Sequence, residues 1–156
     1  MTAAPDGAEL IIRPATADDI GAIVDLLADD PLGSERETPE DLAPYEAAYA
    51  RLAADLGQHI VVAERAGHIV GTLQLTVIPG LSRRGATRSI IEGVRVASTE
   101  RGSGLGTTLL EWAVEQSRRL GVDLVQLTSD ATRTDAHRFY ERLGFVKSHV
   151  GFKLSL

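Results

Sequence analysis

Apolar residues recur along the chain with two different spacings, which predict strands and helices in the order β, α, α, β, β, β, α, β, α, β, β. Strands are predicted where β-branched and other apolar residues run together, at 10–13, 60–63, 69–77, 90–96, 123–128 and as a pair within 145–156. Helices are predicted where apolar residues lie three and four positions apart, at 17–27, 45–56, 105–120 and 134–143.

The order of these elements predicts the fold class. The strands at 60–63 and 69–77 are joined as a hairpin through Gly67, whereas the strand at 90–96 is followed by a glycine-rich loop, a helix and another strand. This combination favours an α/β (α+β) fold, with a mixed, mostly antiparallel twisted sheet and helices on both faces. Within the strand at 90–96, Gly93 predicts a bulge or a close approach of another backbone.

Length and composition predict one domain. With 156 residues, of which 44% are hydrophobic and 24% charged, we expect a single domain at 9–156 after a disordered segment at 1–8. No apolar run approaches the ~20 residues of a membrane-spanning helix, and the N-terminus lacks a basic and apolar leader. A soluble cytoplasmic protein without a membrane partner is therefore predicted.

Charge and residue types exclude several classes of function. The net charge of −6 lacks the excess of Lys and Arg expected of a surface that follows phosphates, so no nucleic-acid partner is predicted. The absence of Cys rules out disulfides, thiolate metal sites and a cysteine nucleophile. The four His residues lack the close spacing of a zinc-binding helix, so no metal is predicted.

A glycine-rich segment is the strongest functional signal in the chain. The residues at 101–106, Arg-Gly-Ser-Gly-Leu-Gly, separate the strand that ends near Val96 from the helix that starts near Gly104. Unpaired backbone N–H groups and the positive end of the helix dipole meet at such a position, and glycines allow phosphate oxygens to approach the backbone closely. The segment therefore predicts a pyrophosphate site, with Arg101 adding a positive charge; the alternative is a flexible connection.

Two other nucleotide-binding motifs match this segment less well. A dinucleotide fingerprint would require a third glycine where the chain has Thr107, and it would belong to an opening βαβ unit, whereas this segment lies behind hairpins. A nucleoside triphosphate loop is excluded because no Gly-Lys-Ser or Gly-Lys-Thr follows the glycines.

Two motifs resemble the GNAT family of N-acetyltransferases. The segment 101–106 is similar to that family's acetyl-coenzyme A motif, Arg/Gln-x-x-Gly-x-Gly/Ala. The residues at 136–145, Ala-His-Arg-Phe-Tyr-Glu-Arg-Leu-Gly-Phe, resemble its closing helix and turn, at the family's usual distance from the first motif. With the element order, the resemblance covers 10–156 and implies acetyl-coenzyme A (acetyl-CoA) as cosubstrate.

The resemblance also implies which residues bind acetyl-CoA. Three residues would offer backbone groups to the pantetheine arm: Val94, Arg95 and Val96. Seven would hold the pyrophosphate: Arg101, Gly102, Ser103, Gly104, Leu105, Gly106 and Thr107. Where many family members have Asn, three residues before the second motif, this chain has Arg133, which could reach a phosphate or the acceptor instead.

Two side chains are candidates for proton transfer. Glu92 resembles the strand glutamate that many family members use as a base, often through water; the alternative is a surface carboxylate. Tyr140 matches the family's motif tyrosine, which can protonate the departing thiolate because its ordinary pKa of about 10 lies near that of a thiol, about 8.5. Its alternative role is core packing beside Phe139. Backbone N–H of Val94 or Val96 could polarise the thioester carbonyl.

The implied function is transfer of an acetyl group to an amine by direct attack, the acceptor being a small molecule or a protein. An acyltransferase for longer acyl groups and a non-catalytic acyl-CoA-binding module remain open. The acidic connection at 29–44 would attract a cationic amine or be a solvated loop. The basic loop with Arg83, Arg84 and Arg88 would help coenzyme A (CoA) phosphates or an acidic acceptor, or be surface. A homodimer is also possible.

Overall fold

The computed structural model describes residues 7–156, which contain one five-stranded sheet in the order β1-β2-β3-β4-β5. The strands are β1 Leu10–Pro14, β2 Gln58–Arg65, β3 His68–Ile78, β4 Arg88–Val96 and β5 Leu124–Leu127. The helices are α1 Ile20–Ala28, α2 Gly33–Arg36, α3 Ala43–Ala53, α4 Ser82–Gly85, α5 Leu105–Arg119 and α6 Thr134–Arg142. The first four strands pair antiparallel and β5 pairs parallel to β4, which confirms the predicted mixed, mostly antiparallel sheet.

Helices cover both faces of the sheet. Three consecutive residues of β2, Val61, Val62 and Ala63, are each at most 2% exposed. Because successive side chains of a strand point to opposite faces, neither face of β2 is open to solvent. The helix α5 packs on β3 and β4, and its Leu109 is completely buried.

A bulge in β4 and the end of its pairing with β5 shape the central part of the sheet. Gln74 of β3 pairs with Glu92 and Thr72 pairs with Arg95, so two residues of β4 face one of β3. Gly93 has a φ of 60°, a left-handed conformation that favours glycine, and this confirms the predicted bulge. The pairing of β4 with β5 ends at Ile91, and no residue of the described chain pairs with β4 on that side beyond it.

The predicted strand pair within 145–156 is wrong. Every residue from 146 to 156 is exposed and none lies in a strand. Val150 and Phe152, for example, are 79% and 93% exposed. An alternating pattern identifies a segment that can form a strand, but a strand forms only where a second backbone supplies its hydrogen bonds.

Three other expectations concern the ends and the surface of the chain. The disordered segment at 1–8 falls mainly on residues 1–6, which lie outside the described residues, while the carbonyl of Ala8 accepts a hydrogen bond from Arg65 at 2.8 Å. Within 7–156, no helix is long and apolar enough to cross a membrane. The same residues contain no group of three or more His, Asp or Glu positioned to hold a metal ion.

Candidate active site

The glycine-rich loop lies between the end of β4 and the start of α5. Gly102 and Gly104 have φ values of 79° and 88°, which side chains rarely adopt, and α5 begins directly after them at Leu105. A Cβ added at either glycine would meet no atom within 4 Å. The surface above the loop is therefore open, and a side chain there would occupy the space available to a ligand.

The first turn of α5 presents unpaired donors beside this surface. No side chain caps the helix, and its first backbone hydrogen bond runs from Thr108 N–H to the Gly104 carbonyl at 3.1 Å. The N–H groups of Leu105, Gly106 and Thr107 therefore have no partner within the helix, and they lie at the positive end of its dipole. This geometry suits an anion such as a pyrophosphate.

Gly106 has a packing role in addition to its N–H group. A Cβ at this position would lie 3.5 Å from the ring of Phe139 and 3.9 Å from Val96. The first turn of α5 therefore contacts both α6 and the end of β4. This contact places the second predicted motif, on α6, beside the first.

The side chain of Arg101 is held by the segment that follows α1. Its Nη2 donates to the backbone carbonyl of Asp29 at 2.8 Å and lies 3.1 Å from the Asp29 carboxylate. Both side chains are about half exposed, so the ion pair is worth little in water. An anion on the loop can therefore compete with Asp29 for this arginine.

Beyond Ile91, β4 has no strand partner on the side of β5 among the described residues. We call this side the opening between β4 and β5. It includes the backbone of 94–96, which is predicted to contact pantetheine. Arg95 Nη1 donates to the Val94 carbonyl at 2.9 Å, and its Nε lies 3.0 Å from the carboxylate of Asp30. Burial raises the pKa of Asp30, but the hydrogen bond from Gly33 N–H and the charge of Arg95 outweigh it, so this pKa lies below its ordinary value.

Tyr140 lies on α6, half-buried between two aromatic rings. The ring centroids of Phe139 and Phe145 lie 5.4 and 6.2 Å from its own. Burial raises the pKa of Tyr140, although the charges of Arg133 and Arg95 oppose the shift. The hydroxyl therefore keeps its proton at neutral pH, and it makes no hydrogen bond to a residue within 7–156.

Glu92 occupies the first position of β4 beyond its pairing with β5. It is exposed and pairs across the sheet with Gln74. Its carboxylate makes no ion pair or hydrogen bond with another of the described residues. Glu92 therefore lies at the edge of the opening, and no hydrogen bond links it to Tyr140.

Two arginines that no sequence pattern connects, Arg36 and Arg133, both lie near Asp130. Arg133 precedes α6, and Arg36 ends α2, which is distant in sequence. Hydrogen bonds from Thr132 are the main cause that lowers the pKa of Asp130, and the charges of Arg36 and Arg133 lower it further. Both arginines therefore lie near Asp130, although no sequence signal links α2 to this loop.

The basic loop lies apart from the candidate site. Arg83 and Arg84 line a surface hollow together with Asp123 and Leu124, near the start of β4 and β5. The glycine-rich loop follows the other end of β4, and nine residues of strand span roughly 27 Å between them. These arginines therefore lie apart from the glycine-rich loop.

An uncapped helix start that follows two left-handed glycines, with the tyrosine-bearing helix α6 beside it, is a geometry that suits an anionic ligand. Residues 20–145 match the model of the Acetyltransferase (GNAT) family. The chain belongs to this family. It is an N-acetyltransferase, and its reaction is acetyl transfer to an amine.

Three known proteins show the extent of the similarity. An aminoalkylphosphonate N-acetyltransferase of Salmonella typhimurium is 32% identical over 145 residues, covering 93% of this chain and 90% of that protein. A glucosamine 6-phosphate N-acetyltransferase of Trypanosoma brucei brucei is 37% identical over 90 residues, covering 58% and 59%. The crystal structure of a transcriptional regulator from Bacillus halodurans C-125 superposes with a TM-score of 0.91 at 42% identity, covering 95% of this chain and all of that one.

Proposed function

We propose that acetyl-CoA binds in the opening between β4 and β5, with its pyrophosphate on the loop 101–107. The observation that carries this proposal is the uncapped first turn of α5 behind two left-handed glycines, Gly102 and Gly104. Pantetheine then follows the backbone of 94–96, which β5 leaves unpaired. Arg101 exchanges its contact with Asp29 for a phosphate oxygen, since guanidinium pairs strongly with phosphate.

The residues beside this opening supply the proton transfers. The neutral amine forms a bond to the carbonyl carbon of the thioester, and the bond from that carbon to sulfur breaks. Glu92 accepts the proton that the amine loses, through water, and Tyr140 protonates the departing thiolate. Backbone N–H of Val94 or Val96 polarises the carbonyl oxygen. Since burial keeps Tyr140 protonated, the hydroxyl is in the correct state for this role.

The acceptor proposed here is a small amine that also carries a phosphonate or phosphate group. Both named relatives act on acceptors of this type, an aminoalkylphosphonate and glucosamine 6-phosphate. In this chain, Arg36 and Arg133 make no ion pair within the described residues, and both lie near Asp130. The charge of Arg133 also acts on Tyr140. Before the cosubstrate binds, the acidic connection is less available to a cationic amine, because Asp29 and Asp30 contact arginines.

An acceptor screen tests this function directly. Because the chain has no Cys, a thiol reagent reports only the CoA that the reaction releases. We expect kcat/KM to be higher for an aminoalkylphosphonate than for the alkylamine of equal length, and higher for glucosamine 6-phosphate than for glucosamine. Equal or better turnover of the amines without phosphorus would refute the proposed acceptor, and absence of thiol release with every amine would favour a binding module.

Two variants separate the phosphonate site from general surface charge. Arg133→Ala should raise the acceptor KM by roughly 10-fold or more, because a hydrogen bond between charged groups is worth about 1.5–3 kcal/mol. Arg142→Ala is the matched control, since Arg142 is an exposed arginine at the other end of the same helix. The proposal requires the first variant alone to change the KM, and only for acceptors with phosphorus.

A further inference from the structure

The hydroxyl of Ser129 is buried without a hydrogen-bond partner. Three buried side-chain polar atoms in the described part of the chain make no hydrogen bond, and two of them are guanidinium nitrogens that still face a carboxylate. Nε of Arg65 lies 3.1 Å from Glu100, and Nε of Arg95 lies 3.0 Å from Asp30. The third atom is Oγ of Ser129. Because a buried hydroxyl without a partner costs free energy in the folded protein, this one is a candidate for contact with a ligand.

Ser129 lies across the opening from β4, at the level where the cosubstrate would react. The parallel pairing of the two strands ends with Leu127 beside Ile91. Two residues further along each strand, Ser129 comes to the level of Gly93. This level adjoins the backbone of 94–96 at the end away from the glycine-rich loop. With the pyrophosphate on that loop and pantetheine along 94–96, the thioester end of the cosubstrate comes to the level of Ser129.

The hydroxyl of Ser129 lies on the face of the sheet that carries α5. Ser89 pairs with Val125, and its Oγ lies 2.8 Å from Oγ of Ser117 on α5. Residues that pair side by side point to the same face, and side chains alternate along a strand, so every second residue from Val125 faces α5. The alternation continues beyond β5, because both neighbours of Ser129 in sequence are exposed whereas its hydroxyl is buried.

Tyr140 is carried on the same face of the sheet by α6. This helix packs on the first turn of α5, where a Cβ added at Gly106 would lie 3.5 Å from the ring of Phe139. The neighbouring ring of Tyr140 is half-buried, and its hydroxyl makes no hydrogen bond to a described residue. Two hydroxyls without partners in the described chain, those of Ser129 and Tyr140, therefore lie on one face beside the opening.

We propose that Ser129 donates a hydrogen bond to the sulfur of the departing CoA thiolate, beside Tyr140. This role rests on the proposed function. When the bond between carbon and sulfur breaks, its electron pair passes to sulfur; Tyr140 transfers its proton there, whereas Ser129 keeps its own proton. A hydrogen bond to a charged acceptor is stronger than one to a neutral acceptor, so this contact strengthens as charge develops on the sulfur. Ser129 therefore stabilises the transition state more than the bound cosubstrate.

The stability of the protein without ligand is the first test. Ser129→Ala removes a buried hydroxyl that has no partner, so its Tm should equal or exceed that of the wild type. Ser117→Ala is the matched control, because its buried hydroxyl contacts Ser89 and the Ala113 carbonyl, both at 2.8 Å, and its Tm should fall. A fall in the Tm of Ser129→Ala would show that the hydroxyl stabilises the fold, and would overturn the proposal.

A comparison of CoA with desulfo-CoA, which lacks the sulfur, tests the contact itself. The affinities are measured by titration calorimetry at about pH 9, where a thiol with a pKa of about 8.5 is mainly thiolate. Ser129→Ala should reduce the preference of the protein for CoA over desulfo-CoA by roughly 10-fold or more, because hydrogen bonds to charged groups are the strong ones. Thr128→Ala removes an exposed hydroxyl from the preceding residue and should leave this preference unchanged. An unchanged preference in Ser129→Ala overturns the proposal.

Turnover separates this role from the proposed function on which it rests. Ser129→Ala should lower kcat and leave the KM for acetyl-CoA unchanged, because the contact forms fully only as the thiolate departs. A higher KM with an unchanged kcat would place the hydroxyl against another part of the cosubstrate, and would overturn the role while leaving the proposed function intact. Failure of the wild type to bind either CoA or desulfo-CoA would refute the proposed function, and the role of Ser129 with it.

Discussion

In the proposed complex, Asp29 would compete with the cosubstrate for Arg101, so removing its charge should tighten the binding of CoA. In Asp29→Asn the backbone carbonyl that accepts from Arg101 remains, while the ion pair at 3.1 Å is lost. Exposed ion pairs of this type are worth ~0.2–1 kcal/mol, which corresponds to a gain in affinity of about 1.4- to 5-fold. A variant that removed a contact to CoA would instead lower the affinity for CoA.

Calorimetric titration with CoA measures this change, at low and at high salt. The difference between wild type and Asp29→Asn should be largest at low ionic strength and should shrink at ~1 M salt, where charges are screened beyond about 3 Å. Glu40→Gln is the matched control, because Glu40 is an exposed acidic residue of the same connection with no contact to Arg101. Weaker binding by Asp29→Asn would show that the carboxylate orients Arg101 for the phosphate, and would refute the competition.

Three further predictions concern the loop, the proton donor and acid stability. Gly104→Asp should abolish the rise in Tm that CoA causes, while the variant stays folded, because it adds a side chain and a negative charge above the uncapped helix; a normal rise would place the pyrophosphate elsewhere. Tyr140→Phe should bind CoA normally but lower kcat by roughly 100-fold, and an unchanged kcat where chemistry limits the rate would reject this role. In the wild type, kcat should fall only at a pH above 10, because burial raises the pKa of Tyr140. A hydrogen bond from Arg13 lowers the pKa of Asp19 to about 2. The pair therefore stabilises the fold fully above the unfolded pKa of about 4, and this stabilisation is lost as the pH falls to 2. In urea titrations from pH 6 to pH 3, Asp19→Asn should be less stable at pH 6 but should lose less stability on acidification; parallel curves would contradict the assignment.

The parts of the site that follow one another in sequence were predictable. Local signals placed the loop 101–107 between a strand and a helix, and the structure has α5 starting at Leu105. The glycine pattern works because a left-handed φ and an uncapped helix start are properties of a few neighbouring residues. Gly93 was predictable for the same reason, since a bulge is a local feature of one strand.

Contacts between distant segments were not predictable in this way. Arg101 and Asp29 are 72 residues apart, and only the packing of α1 against the sheet brings them together. The proximity of Arg36 to the loop before α6 has the same origin. One local signal was misread: Pro44 lies in the first turn of α3, where proline is favoured, although it was assigned to the connection.

In the proposed site, the two neighbouring carboxylates after α1 lie between the part that would bind the cosubstrate and the part that would bind the acceptor. Asp29 contacts Arg101 and Asp30 contacts Arg95, so without ligands these four charges are balanced in pairs. If the pyrophosphate takes Arg101, the charge of Asp29 loses its partner, while the pair of Asp30 and Arg95 does not touch the loop. The site then presents a carboxylate as well as the positive charges of Arg36 and Arg133. An ammonium group at one end of the acceptor and a phosphonate at the other would match this distribution, and they would match it only after the cosubstrate had bound. In the proposed site, Asp29 and the two arginines would therefore bind the same acceptor rather than competing ones.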